Sequence, residues 1–424
     1  MKILAVGDIH LGRTPSRLPS ELAERAKEFG PAEAWRRSVD KALECGVRAV
    51  LLAGDVVERE DDFFEAYREL SSGVERLTEK GVEVIGVAGN HDVKVLPRLA
   101  NQIPSFRLLG AGGEWQPHSI AEKDERVCIW GWSFPQRAVT GSPLPGVPFD
   151  RKPGINLGLL HCDRDGGSSP YAPVNTSELN HAGLDGWLLG HIHKPDNLTA
   201  DSLSGYLGSV SGLDPGEPGQ HGPWLIKVES ARVARVEQIP LAPLRWETLT
   251  VDLSELGSAV EAKDRLLTQT RWLDESVSVS AGASNAVGLR VVLAGRTRFG
   301  ASARAEIDSE DREDVYRGSG NRRYFIETIV SDTRPEIDLG ELARRADPPG
   351  LLARRLLWLE EPEGHHERDR LVALARGRLE GLVNDPVWND LHDEGALEPN
   401  PVERLREAGF RALEQLLTQT PELG

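Results

Sequence analysis

The chain has 424 residues, of which 39% are hydrophobic and 28% charged. That composition supports two or three folded domains and excludes a wholly disordered chain. Fifty basic side chains against 67 acidic ones give a formal net charge of −17, so the chain lacks the basic footprint of a stand-alone nucleic-acid binder.

The start of the chain places an acid, Asp8, after a short apolar run, which reads as a first strand and not a signal peptide. Predicted strands follow at 48–53, 82–88, 127–134, 155–160 and 186–190, with a pair at 223–229 and 233–241 closing the region. Helical periodicity lies between the early strands, at about 31–45 and 62–80, and this alternation predicts a layered α/β domain over residues 1–244. The loops 135–154, 163–178 and 211–222 are long and rich in Gly, Pro and Ser, as functional loops often are. Residues 245–345 read as a small α/β module with strands at 246–252, 287–294 and 323–331 and a helix at about 257–271, interrupted by the polar segments 276–286 and 300–322. Residues 346–424 read as helical. No apolar run reaches the roughly 18 residues of a membrane span. Cys45, Cys128 and Cys162 are too widely spaced for a disulfide framework or zinc knuckle, and the expected location is the cytoplasm, with no membrane partner.

Five short blocks share one placement, just past the C-terminal end of a hydrophobic strand. They are Asp8-Ile9-His10, Gly54-Asp55, Gly89-Asn90-His91-Asp92, His161 and Gly190-His191-Ile192-His193. Loops at the carboxyl ends of strands in α/β sheets converge on one crevice, so residues scattered along the chain can meet there. Each block alone is weak, because Gly-Asp is a common turn and a lone histidine is more often a satisfied core residue. Together they form a mixed N/O donor set: Asp8, Asp55 and Asn90 offer oxygens, and His10, His161, His191 and His193 offer imidazoles. Such a set suits two divalent ions, and manganese, iron or zinc better than calcium, with manganese the first expectation; two ions a few ångströms apart can clamp a phosphate ester during in-line attack. His91 remains as the group that serves the leaving oxygen.

These blocks resemble, in order and without a gap, the motifs of the calcineurin-like metallophosphoesterase superfamily, across about residues 1–244. The resemblance implies a two-sheet α/β sandwich flanked by helices. It assigns Asp8, His10, Asp55 and His193 to one metal, and Asp55, Asn90, His161 and His191 to the other. The flanks Leu11-Gly12 and Lys194-Pro195, with the segment from Gly208 to Gly219, look like the SbcD branch of DNA repair nucleases, in which the corresponding loop runs beside the active site. Asn90-His91-Asp92 and Glu58-Arg59-Glu60 depart from the serine/threonine phosphatase pattern.

The SbcD-like resemblance implies a nuclease (an exonuclease or endonuclease) acting on DNA in repair. It makes residues 245–345 a capping domain and the 346–424 helices a grip for an SbcC-like ATPase, and it suggests a homodimer formed through helices of the first domain. Where archaeal and eukaryotic relatives carry a histidine three residues after the bridging aspartate, this chain has Glu58. The expectation is that its carboxylate holds His91, as a carboxylate orients a catalytic histidine elsewhere. Arg13 and Arg17 follow the first block and are candidates for phosphate contact, Arg13 as substrate-binding, although surface ion pairs are the commoner use. Of Trp130 and Trp132, one is expected to face the core and the other a layer interface. Two rival readings stay open: a phosphodiesterase on small nucleotides, which the negative charge favours, and a non-enzymatic scaffold of the same fold.

Overall fold

A computed structural model of the chain describes residues 1–280, 284–310, 315–383 and 400–418. They fall into two compact units, Met1–Gly295 with Phe299–Thr333, and Arg296–Arg298 with Arg334–Gly424. In the first unit the strands run β1 (Lys2–Val6), β2 (Ala49–Ala53), β3 (Glu83–Val87), β4 (Phe106–Leu108), β5 (Gln116–Glu122), β6 (Glu125–Trp132), β7 (Ile155–His161), β8 (Gly186–Gly190), β9 (Ser204–Tyr206), β10 (Trp224–Glu229) and β11 (Arg232–Gln238). They form a six-stranded sheet, β11-β10-β1-β2-β3-β4, and a five-stranded sheet, β5-β6-β7-β8-β9. The β1–β4 pairings and the β6–β9 pairings are parallel, so all the strands that end in a motif block point their carboxyl ends the same way within their sheet.

Side chains alternate across a strand, and both faces of the first sheet are covered, which is why its strands read as unbroken apolar runs. Ile3 and Ala5 of β1 join Leu51, Ile85, Ile129, Leu157 and Leu188 in a core between the two sheets. Leu4 and Val6 face the other way, onto Ala34, Trp35 and Val39 of the helix Pro31–Cys45 and Leu70 and Val74 of the helix Phe63–Thr78. The expected two-sheet α/β sandwich flanked by helices is the architecture of this region.

Four further strands, β12 (Leu244–Asp252), β13 (Ala286–Arg296), β14 (Tyr316–Arg317) and β15 (Arg323–Arg334), make a separate sheet in the order β12-β13-β15-β14. The helices Glu261–Ser280 and Gly300–Glu310 accompany it, the second inside a segment that reads as merely polar in sequence. Leu22 and Phe29 pack with Leu244, Trp246, Ala286 and Phe325, and Arg17 pairs with Glu327, so this sheet is joined to the first domain by a core of its own. The second unit is helical, with Leu339, Ala353, Leu356 and Leu413 buried together. Residues 384–399 and 419–424 of the region 346–424 lie outside the described residues. No helix among the described residues is long and apolar enough to cross a membrane.

Trp130 and Trp132 are two residues apart on β6 and therefore share a face, which corrects the expectation that they diverge. Both are buried, their indole N–H groups donating to Asn156 Oδ1 and the Gly113 carbonyl.

Candidate metal centre

Each donor-bearing loop begins where a strand stops, and four of the candidate ligands sit in left-handed backbone: Asp8 (φ 32°), His10 (φ 56°), Asp55 (φ 45°) and His191 (φ 107°). Non-glycine residues avoid that region, and such strain persists where surrounding structure enforces it, commonly at functional sites. The loops are bound to one another. The N–H of His10 donates to the Asp55 carbonyl and that of Leu11 to the Val56 carbonyl; the N–H of His191 donates to Asp8 Oδ1 and that of His91 to Asp55 Oδ1. Glycine permits the closest approach, for a Cβ on Gly89 would lie 2.1 Å from Asp55 Oδ1.

Asp92, which the motif contains but the expected ligand set omits, holds this frame together. Fully buried, it accepts hydrogen bonds from the N–H groups of Gly89 and Val56, each at 2.7 Å. Its burial, with the Asp55 charge nearby, pushes its pKa up.

Asp8, His10, Asp55, Asn90 and His161 are all buried. Single donor atoms of three overlapping triplets lie within 4.8 Å of one another: Asp8, His10 and His193; His10, Asp55 and His91; and Asp8, Asp55 and His161. Asn90 Oδ1 lies 3.0 Å from His161 Nε2. His191 joins none of these triplets among the described residues; its ring flanks that of His161, with centroids 5.2 Å apart.

The electrostatics are those of a cation site. Asp8 Oδ2 is buried without a hydrogen-bond partner, an arrangement that costs free energy unless a positive charge satisfies it. Burial raises the Asp8 pKa against the opposing pull of His161 and His193. Burial also works against charge on His161, but the Asp55 carboxylate 3.3 Å away outweighs it and raises the imidazole to about 9. His191 is lowered to about 4, by burial and then by its neighbour His161. The donor set therefore fits two hard-to-borderline divalent ions. Asp8, His10, Asp55 and His193 would hold one, and Asp55, Asn90, His161 and His191 the other.

The Glu58 carboxylate does not hold His91. Its Oε2 lies 2.7 Å from His10 Nδ1, as an ion-pair contact without good hydrogen-bond alignment, while His91 Nδ1 lies 3.0 Å from the Glu58 backbone carbonyl. The physical reason is local: the Glu58 N–H donates to the Leu11 carbonyl, which aligns residue 58 along the first loop and brings its side chain to His10. A hollow of about 570 Å³ opens beside His91, lined by Glu58, Arg59, Glu60, Asp61 and Arg137. Arg13 reaches the Leu213 carbonyl at 3.4 Å. Cys162 is buried, and burial pushes its thiol pKa well up, so it is no nucleophile.

Sequence reasoning passed over Glu217. Its Oε1 lies 2.7 Å from His193 Nδ1. Its sequence signals were its place in the 211–222 loop and in the Gly208–Gly219 segment, which resembles a loop beside the active site.

Residues 1–195 match the calcineurin-like phosphoesterase family. The chain is 28% identical over 280 residues to the metallophosphoesterase YhaO of Bacillus subtilis, covering 60% of this chain and 64% of that one. It is 31% identical over 212 residues to the DNA double-strand break repair protein Mre11 of Methanopyrus kandleri, covering 46% of this chain and 45% of that one. The matches thus span less than two thirds of either relative's length. A dimetal phosphatase from Danio rerio is similar at 14% identity and a TM-score of 0.36, over 56% of this chain and 96% of that one, a likeness that says nothing of substrate. The five blocks gathered at one crevice all lie within the 195 residues that match the calcineurin-like phosphoesterase family.

Proposed function

We propose that the chain is a dinuclear metal-dependent phosphodiesterase that cleaves DNA, a nuclease subunit of SbcD-like type. The observation that carries the reading is the gathering of Asp8, His10, Asp55, His161 and His193 into overlapping donor triplets, with Asp8 Oδ2 buried and without a hydrogen-bond partner. Two bound ions would supply Lewis acidity toward a phosphate and lower the pKa of water, and manganese suits the N/O donors.

The chain's own residues do the rest. Asp55 would face both ions, and Asp92 keeps its loop in register with the Asn90 loop. With its Nδ1 against the Glu58 carbonyl and its ring beside His10, His91 keeps Nε2 available to hold a proton for the leaving oxygen. Arg59 and Arg137 line the hollow beside His91 and, with Arg13, can meet flanking phosphates of a polynucleotide.

DNA as substrate is supported by the partial match to the archaeal repair protein and by the Leu11-Gly12 and Lys194-Pro195 flanks. An SbcC-like ATPase held by the helices of 346–424, and pairing of two chains through first-domain helices, complete the reading. Co-purification and sedimentation check those two parts. The net charge of −17 favours the second reading, a phosphodiesterase on small nucleotides.

The test uses metal-stripped protein, manganese, end-labelled single-stranded and hairpin DNA, and a bis-aryl phosphate. DNA cleavage that needs metal and disappears in Asp55→Asn and His91→Ala is the expected result. Hydrolysis of the diester without DNA cleavage, also when an SbcC-like ATPase is added, would replace this reading with the small-nucleotide one.

A further inference from the structure

His10 and His193 present their Nε2 atoms to each other at 3.1 Å, beside Asp8. Behind each ring stands a carboxylate that no ligand set includes. Glu58 Oε2 lies 2.7 Å from His10 Nδ1, and Glu217 Oε1 lies 2.7 Å from His193 Nδ1. A carboxylate accepts but cannot donate when ionised, so the Glu217 hydrogen bond selects the His193 tautomer with its proton on Nδ1, whereas Glu58 meets His10 only as an ion-pair contact. The His193 Nε2 lone pair then faces His10 Nε2 at 3.1 Å, where either a proton from His10 or a bound cation satisfies it. The other half of the centre is built differently: His161 Nδ1 lies 3.1 Å from the neutral carbonyl of Ala53.

We propose that Glu217 is a positioning residue for His193, fixing its tautomer and ring so that Nε2 is held ready as a metal ligand. The proposal rests on the metal-centre reading above.

The loop carrying Glu217 is built to keep that carboxylate in place. Its second oxygen, Oε2, accepts from the N–H of Leu213 at 3.2 Å. The Glu217 backbone carbonyl lies 3.0 Å from Nε2 of His221, a ring that is 1% exposed and whose Nδ1 meets Ser209. Trp246, at the start of β12, fastens both ends: its indole N–H donates to the Gly212 carbonyl and its own carbonyl accepts from the N–H of Gly219. A carboxylate held at two oxygens by a loop so anchored can orient a ring far better than a mobile surface acid could. Partners of this kind fix ring orientation and raise ligand basicity, and their loss commonly costs 10- to 100-fold in metal affinity.

The experiment titrates manganese into the metal-stripped full chain by calorimetry, for wild type, Glu217→Gln and Glu217→Ala. Cobalt absorption spectra report the change in histidine ligation independently of activity. The expected result is two equivalents in wild type. In Glu217→Gln one equivalent should weaken about 10- to 100-fold, with the other unchanged and the melting temperature of the metal-free protein preserved; Glu217→Ala should lose more affinity at the same equivalent. Two unchanged equivalents in Glu217→Gln would overturn the proposal alone. Equal weakening of both equivalents with a lowered metal-free melting temperature would overturn it too, in favour of a purely structural role. A wild-type chain that binds no metal would overturn the metal-centre reading and this proposal with it.

Discussion

Two buried acids in the first unit show how differently a carboxylate can be housed. Asp274, on the helix Glu261–Ser280 beside the β12–β15 sheet, accepts from Arg322 Nη1 and the Tyr324 hydroxyl at Oδ1 and from the N–H and Oγ of Ser319 at Oδ2, all between 2.6 and 2.8 Å. Burial would raise its pKa, yet those donors win and carry it down to about 2. Asp8 is more deeply buried, has carboxylates and imidazoles for neighbours, and leaves Oδ2 without a donor. A satisfied acid of the first kind secures a fold. The second kind is an acceptor in need of a cation, and its pKa is raised, not lowered.

That difference can be broken or sharpened by substitution. The largest effect belongs to Asp55, which faces both halves of the centre. Asp55→Asn should reduce metal-dependent diester hydrolysis by about a thousandfold or more, measured as kcat with manganese in excess. His91→Ala should lower kcat by roughly 10²- to 10⁴-fold while calorimetry still finds both manganese equivalents. A loss of metal binding in that variant would make His91 a ligand, as its place in a donor triplet with His10 and Asp55 would allow.

The pH dependence of metal uptake has a definite sign. His161 is raised to about 9 by Asp55 and so carries a proton at neutral pH in the metal-free protein, whereas a ligand imidazole must be neutral. Manganese affinity should therefore climb as pH rises from 6 to 8, by up to about tenfold per unit for each proton released. Calorimetry in buffers of different ionisation enthalpy counts those protons.

The smallest effect separates the two acids by stability. Asp274 has a folded-state pKa below its unfolded value, so its contribution is complete above about pH 4 and fades as pH falls through about 2. Asp274→Asn should cost on the order of 1–2 kcal/mol at neutral pH, allowing for solvent screening. Metal-free Asp8→Asn should melt no lower than wild type, because it removes an unsatisfied buried acid.

Much of this was legible in the sequence, for a physical reason. Strands covered on both faces read as apolar runs, so β1, β2, β3, β7 and β8 lie where predicted, and the donor blocks follow them as the parallel topology requires. The three-residue β4 and β9 are too short to show a period, and β5 exposes most of its residues, so neither propensity nor alternation marks them. The partner of Glu58 was misread because the turn after Asp55 aligns residue 58 with the first loop, a tertiary fact absent from local spacing. Glu217 was invisible as a partner of His193 because they are 24 residues apart, joined by a Gly- and Pro-rich loop whose path is set by Trp246.

Asp8 Oδ2, buried without a donor among the gathered imidazoles and carboxylates, is what calls for bound metal in this crevice. The most direct test counts manganese bound by the metal-stripped chain beside its Asp55→Asn variant. The account predicts two equivalents for the wild type and a loss of tight binding in the variant, with both proteins folded. No bound manganese in the wild type, or the same two equivalents in the variant, would contradict it.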